Sequence, residues 1–589
     1  MSTSPTLPRW SLQDLLPGSG DEALERITSD LESAVAALEA DRSRLSPEMP
    51  EEAFLAVLLR HEALNRIARR FSAYSSLWFA EDTQNPAALN LRSKVEQLLT
   101  ESTNRTLFFS LWFKALPDES AARLMRNSGD LRYYLESWRR FKPFTLSEVE
   151  EKLINIKDVN GIDALVKVYE ILTNNFSYQL DVNGERKTLT RDQLMSYVRQ
   201  QSPDLRAAAY RELYRVYSEN SLVLAQIYSN RVRDWKSESI DLRGYTQPLS
   251  VRNLGNDLPD PVVDTLLSVC RQNVGLFQRY FKIKARYLGM DKLRRYDIYA
   301  PFAHSEKQYS YDQAVDMVLA SFRSFSPHIE DQARQVFAAG HLDAAPRPGK
   351  RGGAFCASAV PDLPPYVLIN YTGQARDVAT LAHEMGHAVH AMLSNCHSVL
   401  TWFPPLPMAE TASVFSEIML MEQLLKDESD PTVRREILAG NIDDAYATVT
   451  RQAYFTLFER DAHSMIAGGS SFDAVSAHYM DNLREQFGDS VEVSDEFKWE
   501  WVSIPHFYYT PFYTYAYSFG QLLGLALYEQ YRTEGEAFIG RYVKILAAGG
   551  SKSPISVLEE AGLDVTNPAF WQGGFKLIEG MIDELDKVI

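Results

Sequence analysis

The chain has 589 residues, 45% of them hydrophobic and 24% charged, which places it among folded globular proteins and excludes a disordered one. Its 78 acidic side chains outnumber 61 basic ones, a formal charge of −17 that argues against a nucleic-acid-binding surface. No apolar run approaches a membrane span and the first residues lack a secretory pattern, so a cytoplasmic protein with no membrane partner is expected.

From the N-terminus the pattern is helical. After the Gly18-Ser19-Gly20 break, Asp21 is expected to cap a helix through Leu24, Ile27, Leu31, Val35 and Leu38. A second run starts at Pro50 and carries Phe54, Val57, Leu58, Leu64 and Ile67 on one face. Residues 1–115 therefore read as a helical region, and 116–200 as a helical lobe with helices at 146–159 and 163–174. Within that lobe, alternation around Phe176–Leu180 and Arg186–Leu189, broken by Asp181-Val-Asn-Gly184, predicts a hairpin. The remainder, 201–589, reads as one catalytic domain. Tyr210, Tyr214 and Tyr217 near its start have the spacing of core residues.

Between Gly349 and Tyr371 the texture changes to Gly-Lys-Arg-Gly-Gly-Ala-Phe-Cys followed by the β-type run Tyr366-Val-Leu-Ile-Asn-Tyr371. Two strands are expected. Gly353 and Ala354 then mark a strand edge able to pair with an extended peptide through the main chain, or an ordinary hairpin. Cys356 beside them reads as a small buried hydrophobe. With Cys270 and Cys396 it makes an odd cysteine set without C-x-x-C spacing, consistent with a reducing compartment.

The sharpest signal follows at once: Thr380-Leu-Ala-His383-Glu384-Met-Gly-His387-Ala-Val-His390. Two histidines four residues apart share a helix face and can hold one metal ion from consecutive turns. Val378, Leu381, Ala382, Met385, Ala388, Val389 and Met392 gather on another side to anchor that helix. Glu384 sits where a carboxylate can take a proton from a water at the metal. The set predicts zinc-assisted hydrolysis with Glu384 as general base. A third protein ligand is needed. His390 lies one turn too far along and reads as a supporting or packing residue. Past Pro404, Pro405 and Pro407 a helix restarts at Met408, and Glu410 in its first turn is the expected third ligand, 23 positions beyond His387. Glu417 or Ser413 is placed to orient a ligand histidine.

The last signal is Ile504-Pro-His506-Phe-Tyr508-Tyr509-Thr-Pro-Phe-Tyr513-Thr-Tyr515-Ala-Tyr517. A histidine and tyrosine hydroxyls are suited to steady the oxyanion formed when an amide is attacked, although tyrosines in a helix start also serve as packing.

These four stretches, with the opening Arg9-Trp-Ser-Leu-Gln-Asp-Leu-Leu-Pro, resemble the oligoendopeptidase F family and its thimet-oligopeptidase relatives over nearly the whole chain. The resemblance implies a mainly α, two-lobed molecule with a deep central channel and a small β-sheet beside the active-site helix. It implies one zinc per chain held by His383, His387 and Glu410, and an endopeptidase acting on short peptides. His506 and Tyr515 match its oxyanion-stabilising pair, with Tyr508 and Tyr513 as neighbours, and Ala354 falls on the substrate-pairing strand. Two alternatives stand beside this reading: an exopeptidase removing dipeptides, and a non-catalytic helical scaffold that binds peptides.

Overall fold

Amphipathic runs become helices through most of the chain, in a computed structural model that describes residues 7–302, apart from 17 and 19, and 307–589. Residues 1–6 and Ser19 of the expected Gly18–Gly20 break lie outside the described residues. The helices can be long: Glu51–Glu81 and Pro86–Ala115 run for 31 and 30 residues. Strands are few and short. The first helix starts at Asp21 as expected, but Gly20 takes the cap position and Asp21 makes no side-chain cap. Its carboxylate instead lies in the first turn, where it favours the positive end of the helix dipole.

The chain divides into two units, each assembled from three separated segments. One gathers Met1–Thr145, Lys307–Lys426 and Gln530–Asp564; the other gathers Leu146–Glu306, Asp427–Glu529 and Val565–Ile589. This cut differs from the three consecutive segments read from sequence, 1–115, 116–200 and 201–589. Element ends do fall near 115 and 200. The chain, however, crosses between cores by long-range packing, which local periodicity does not report.

In the first unit, Leu31, Val35 and Leu38 of the opening helix pack with Phe54, Val57 and Leu58 of the next, and with Phe108, Phe109 and Phe113. A three-stranded sheet lies in the same unit. Its strands are β4 (Leu342–Asp343), β5 (Phe355–Ala357) and β6 (Tyr366–Leu368), in the order β4-β6-β5. β6 is parallel to β4 and antiparallel to β5, so β5 is an edge. Asp343, fully buried, anchors the glycine-rich segment by accepting from both Arg347 guanidinium nitrogens (2.8 and 2.7 Å). Lys350 Nζ lies 2.8 Å from the same carboxylate and donates to the Ile369 carbonyl.

In the second unit the predicted hairpin is present as β1 (Tyr178–Val182) and β2 (Glu185–Leu189). Asn183 (φ 53°) and Gly184 (φ 82°) at its tip both take the left-handed conformation that a tight two-residue turn demands. Two short parallel strands, β3 (Leu293–Arg294) and β7 (Val491–Glu492), complete the sheets. Tyr210, Tyr214 and Tyr217 are buried core residues, as their spacing predicts. Among the described residues no helix is long and apolar enough to cross a membrane.

Candidate active site

The helix Ala375–Leu393 carries the His-Glu-x-x-His motif in the first unit. Gln374 and Asp377 close a capping box at its start, and Thr372 donates to Asp377 from both its backbone and its hydroxyl (2.7 Å each). Val378, Leu381, Ala382, Met385, Ala388, Val389 and Met392 are all buried, so the predicted apolar face anchors this motif helix. His383 and His387 emerge partly exposed, with rings 4.9 Å apart.

Glu410 reaches them from the junction between a short helix, Leu406–Ala409, and the long helix Thr411–Asp427. Gly386 is why it can. A Cβ there would lie 2.6 Å from both the Ala412 carbonyl oxygen and the Ser413 Cα, so only glycine lets that backbone approach. Glu410 Oε2 is 3.4 Å from His383 Nε2 and 3.4 Å from His387 Nε2. Ligands bound tetrahedrally to zinc at ~2.0–2.1 Å stand about 3.3–3.4 Å apart, so the spacing fits one ion between them. The three donor atoms all lie within 4.8 Å of one another. Glu417 Oε1 approaches the far side of His383, 3.2 Å from Nδ1, and so favours presentation of Nε2 to the site. Ser413 acts elsewhere than on a histidine: its hydroxyl donates to Glu410 Oε2 at 2.7 Å.

The charges reinforce each other. Burial pushes His383 down, but the carboxylates of Glu417 and Glu410 outweigh it and lift its pKa to about 9. Burial raises Glu410, and His387, His383 and Ser413 overcome that to hold it at about 2. Glu384 is only 6% exposed, and burial pushes its carboxyl above the ordinary value despite both histidines. A carboxyl with a raised proton affinity beside a cation site is suited to carry a proton.

These groups line one end of a cavity of about 370 Å³. Phe355 and Cys356 of β5, with Ala354 and Ser358 flanking that strand, also line the cavity. Gly353 adjoins Ala354 with φ 76°, its carbonyl accepting from Asn370 at 2.9 Å. His390 is 3% exposed and also lines the cavity; burial lowers its pKa to about 3, leaving a neutral ring. Trp402, Phe403, Pro404 and Leu406 complete the lining.

His506 and the tyrosines belong to the second unit. His506 stacks on Tyr513 (5.8 Å, 14°) and meets Tyr517 edge-on, with Nε2 3.4 Å from the Tyr517 hydroxyl. Tyr515 and Tyr508 are not part of this cluster. Tyr515 is fully buried with its hydroxyl accepting from Asn256 Nδ2 (2.8 Å). Tyr508 is fully buried too, stacked on Tyr169 and donating to the Leu224 and Val502 carbonyls. The tyrosine brought to His506 besides Tyr513 is Tyr517, which sequence spacing passed over. The chain breaks between the helices His506–Tyr509 and Tyr515–Glu534, where Phe512 has φ 58° and its N–H donates to buried Glu459 (2.9 Å), so helical spacing counted from His506 does not carry across.

The family model described as "Peptidase family M3" matches residues 196–577. Oligopeptidase PepF of Bacillus subtilis is 26% identical over 98% of this chain and 87% of its own length. The chromosomal oligoendopeptidase F of Lactococcus lactis subsp. cremoris is 25% identical over 91% of this chain and 90% of its own. Among solved structures, a Chlamydophila abortus protein superposes with a TM-score of 0.88, 26% identity and 98% coverage of both chains. Oligoendopeptidase-F from Enterococcus faecium gives 0.73 at 23% identity, over 96% of this chain and 99% of that one.

Proposed function

The chain belongs to peptidase family M3, and we propose that it is a zinc-dependent oligoendopeptidase in which His383, His387 and Glu410 hold the ion and Glu384 is the general base. The observation that carries this reading is the meeting of both histidine Nε2 atoms on one Glu410 oxygen, 3.4 Å from each, at the wall of an open cavity. When bound, zinc supplies Lewis-acid activation of the attacking water and of the scissile carbonyl.

The protein's own groups do the rest. Glu384 takes the proton of the attacking water and returns it to the leaving nitrogen as the amide C–N bond breaks. Glu417 fixes the His383 ring, and Ser413 fixes Glu410, so both ligands are preset. Gly353 and Ala354 lead into the β5 edge, whose free backbone groups are suited to align an extended peptide. His506 with Tyr517 and Tyr513 supplies neutral donors suited to an oxyanion; burial keeps His506 below its ordinary pKa. The short-peptide substrate class is supported by the names of the relatives. A cytoplasmic site of action is supported by three unpaired cysteines.

The test is Glu384→Gln, compared with the wild type on end-blocked, internally quenched peptides and with zinc measured in each protein. Zinc is retained at one per chain while turnover falls at least about 10³-fold, the range of a lost proton-transfer group. Unchanged turnover would exclude the assignment. Cleavage confined to peptides with a free terminus would favour a dipeptide-removing enzyme instead.

A further inference from the structure

The cavity does not end at the histidines. His383, His387, His390 or Ala391, and Ser394 recur at intervals of four, three or four, and four or three residues. They form one continuous face over eleven residue intervals, or about 16 Å along the helix and its C-cap. The chemistry described above uses only its first half. Trp402, tied to Ala391 in the second half and lying near Ser394, lines the same cavity together with the apolar residues Phe403, Pro404 and Leu406.

This wall is built to stay in place. Trp402 donates from Nε1 to the Ala391 carbonyl at 2.9 Å. Behind it, Gly549 and Gly550 are pressed against the Trp402 and Phe403 carbonyls so closely that a Cβ would come within 2.3 and 2.2 Å of them. Asp130 accepts from the Ser398 N–H (2.8 Å) and the Thr401 hydroxyl (2.5 Å), and pairs with His397 at 2.7 Å. Yet Phe403 is 51% exposed and Leu406 36% exposed among the residues that line the cavity. Large apolar side chains left open beside a reaction centre, on a fixed backbone, are what a side-chain pocket presents to its ligand.

One polar feature interrupts that surface. His390 is almost fully buried in the cavity lining, and its Nδ1 has no hydrogen-bond partner. The other polar residue there, Ser394, already donates its hydroxyl to the His390 carbonyl. A charged substrate side chain would lose its water and meet no counter-charge, and a small one would leave the apolar wall unfilled. A flat apolar ring fills it, and a ring carrying a hydroxyl also meets the imidazole.

We propose that this far half of the cavity is the subsite for the substrate residue beside the cleaved bond, that it selects aromatic residues, and that His390 makes it favour tyrosine over phenylalanine. The proposal rests on the peptidase reading of the same site and narrows its substrate class.

The experiment uses the zinc-loaded full chain. Cuts in a mixed peptide library are mapped by mass spectrometry. End-blocked peptides differing only by Tyr, Phe, Ala or Asp beside the cut are then compared. Aromatic residues are expected to exceed Ala and Asp about tenfold in kcat/KM. Tyr is expected to exceed Phe about fivefold, the size of one net hydrogen bond. His390→Leu brings the Tyr and Phe peptides to the same kcat/KM. Phe403→Ala, a change at an exposed position, lowers the aromatic peptides at least about fivefold more than the Ala peptide. Cleavage that ignores the flanking residue, or ratios unmoved in both variants, overturns the subsite while leaving the peptidase reading standing. A wild type that cuts nothing overturns the peptidase reading itself. Should His390→Leu fail to hold zinc, the wild-type library and Phe403→Ala decide the matter.

Discussion

Gly386→Ala tests the geometry on which the metal site depends. The added methyl would sit 2.6 Å from the Ala412 oxygen and from Ser413 Cα, against 3.4 Å for ordinary contact, so the two backbones must part by about 3.4 − 2.6 = 0.8 Å. Overpacking of this kind costs about 1–3 kcal/mol, and alanine returns about 1 kcal/mol of helix propensity, so the metal-free protein loses about 0–2 kcal/mol. Zinc tolerates only ~0.2 Å in its bond lengths, and Glu410 moves with the displaced backbone. Affinity is therefore expected to fall at least about tenfold. With zinc at 100 times the wild-type Kd, binding stabilises the wild type by about 2.7 kcal/mol, and the variant by only about 1.4 kcal/mol. Thermal unfolding with and without chelator reads this directly: the gap between wild type and variant widens by about 1.3 kcal/mol when zinc replaces chelator. A variant with wild-type zinc affinity and turnover would refute the claim that Gly386 sets the position of Glu410.

Glu417→Ala removes the carboxylate 3.2 Å from His383 Nδ1; competition with a chelator should show zinc affinity reduced about 10–100-fold, with the fold intact by circular dichroism. The His397–Asp130 pair predicts a pH signature. The hydrogen bond to Asp130 holds His397 above its ordinary value of 6.5, so its contribution is complete below that value and fades as pH rises through the raised one. Burial pushes Asp130 up, but His397, Thr401 and Ser398 outweigh it and hold it below 3.8, so its contribution is complete above that value and is lost on acidification. The melting difference between wild type and His397→Ala, both chelated, should therefore peak between about pH 4 and 6.5 and shrink in alkali. A difference that does not vary with pH would exclude the pair as its source.

What was legible in the sequence was what neighbouring residues fix. The motif helix, its apolar face and the hairpin turn each follow from local periodicity or from residues that tolerate positive φ. Glu410 was legible because the proline break and helix restart leave few carboxylates able to return. Tyr517 was not, because the turn at Phe512 between two helices is held by Glu459, 53 residues upstream, and no spacing rule sees that hydrogen bond. The apolar far wall was equally hidden. Residues 402–406 read as a proline loop, and the contacts that stiffen them come from Asp130 and from Gly549–Gly550, far along the chain. Which stretches build each of the two units was hidden for the same reason: each core draws on three separated segments.

An extended peptide paired along the edge of β5, as proposed, would be chosen by its backbone. A row of amide groups measures regular spacing and straightness, features shared by peptides of most sequences. Such a ruler would accept unrelated sequences alike, yet falter at proline or an N-methylated residue, where a rung is missing. Peptides rich in such interruptions would outlast their neighbours in any mixture this protein degrades.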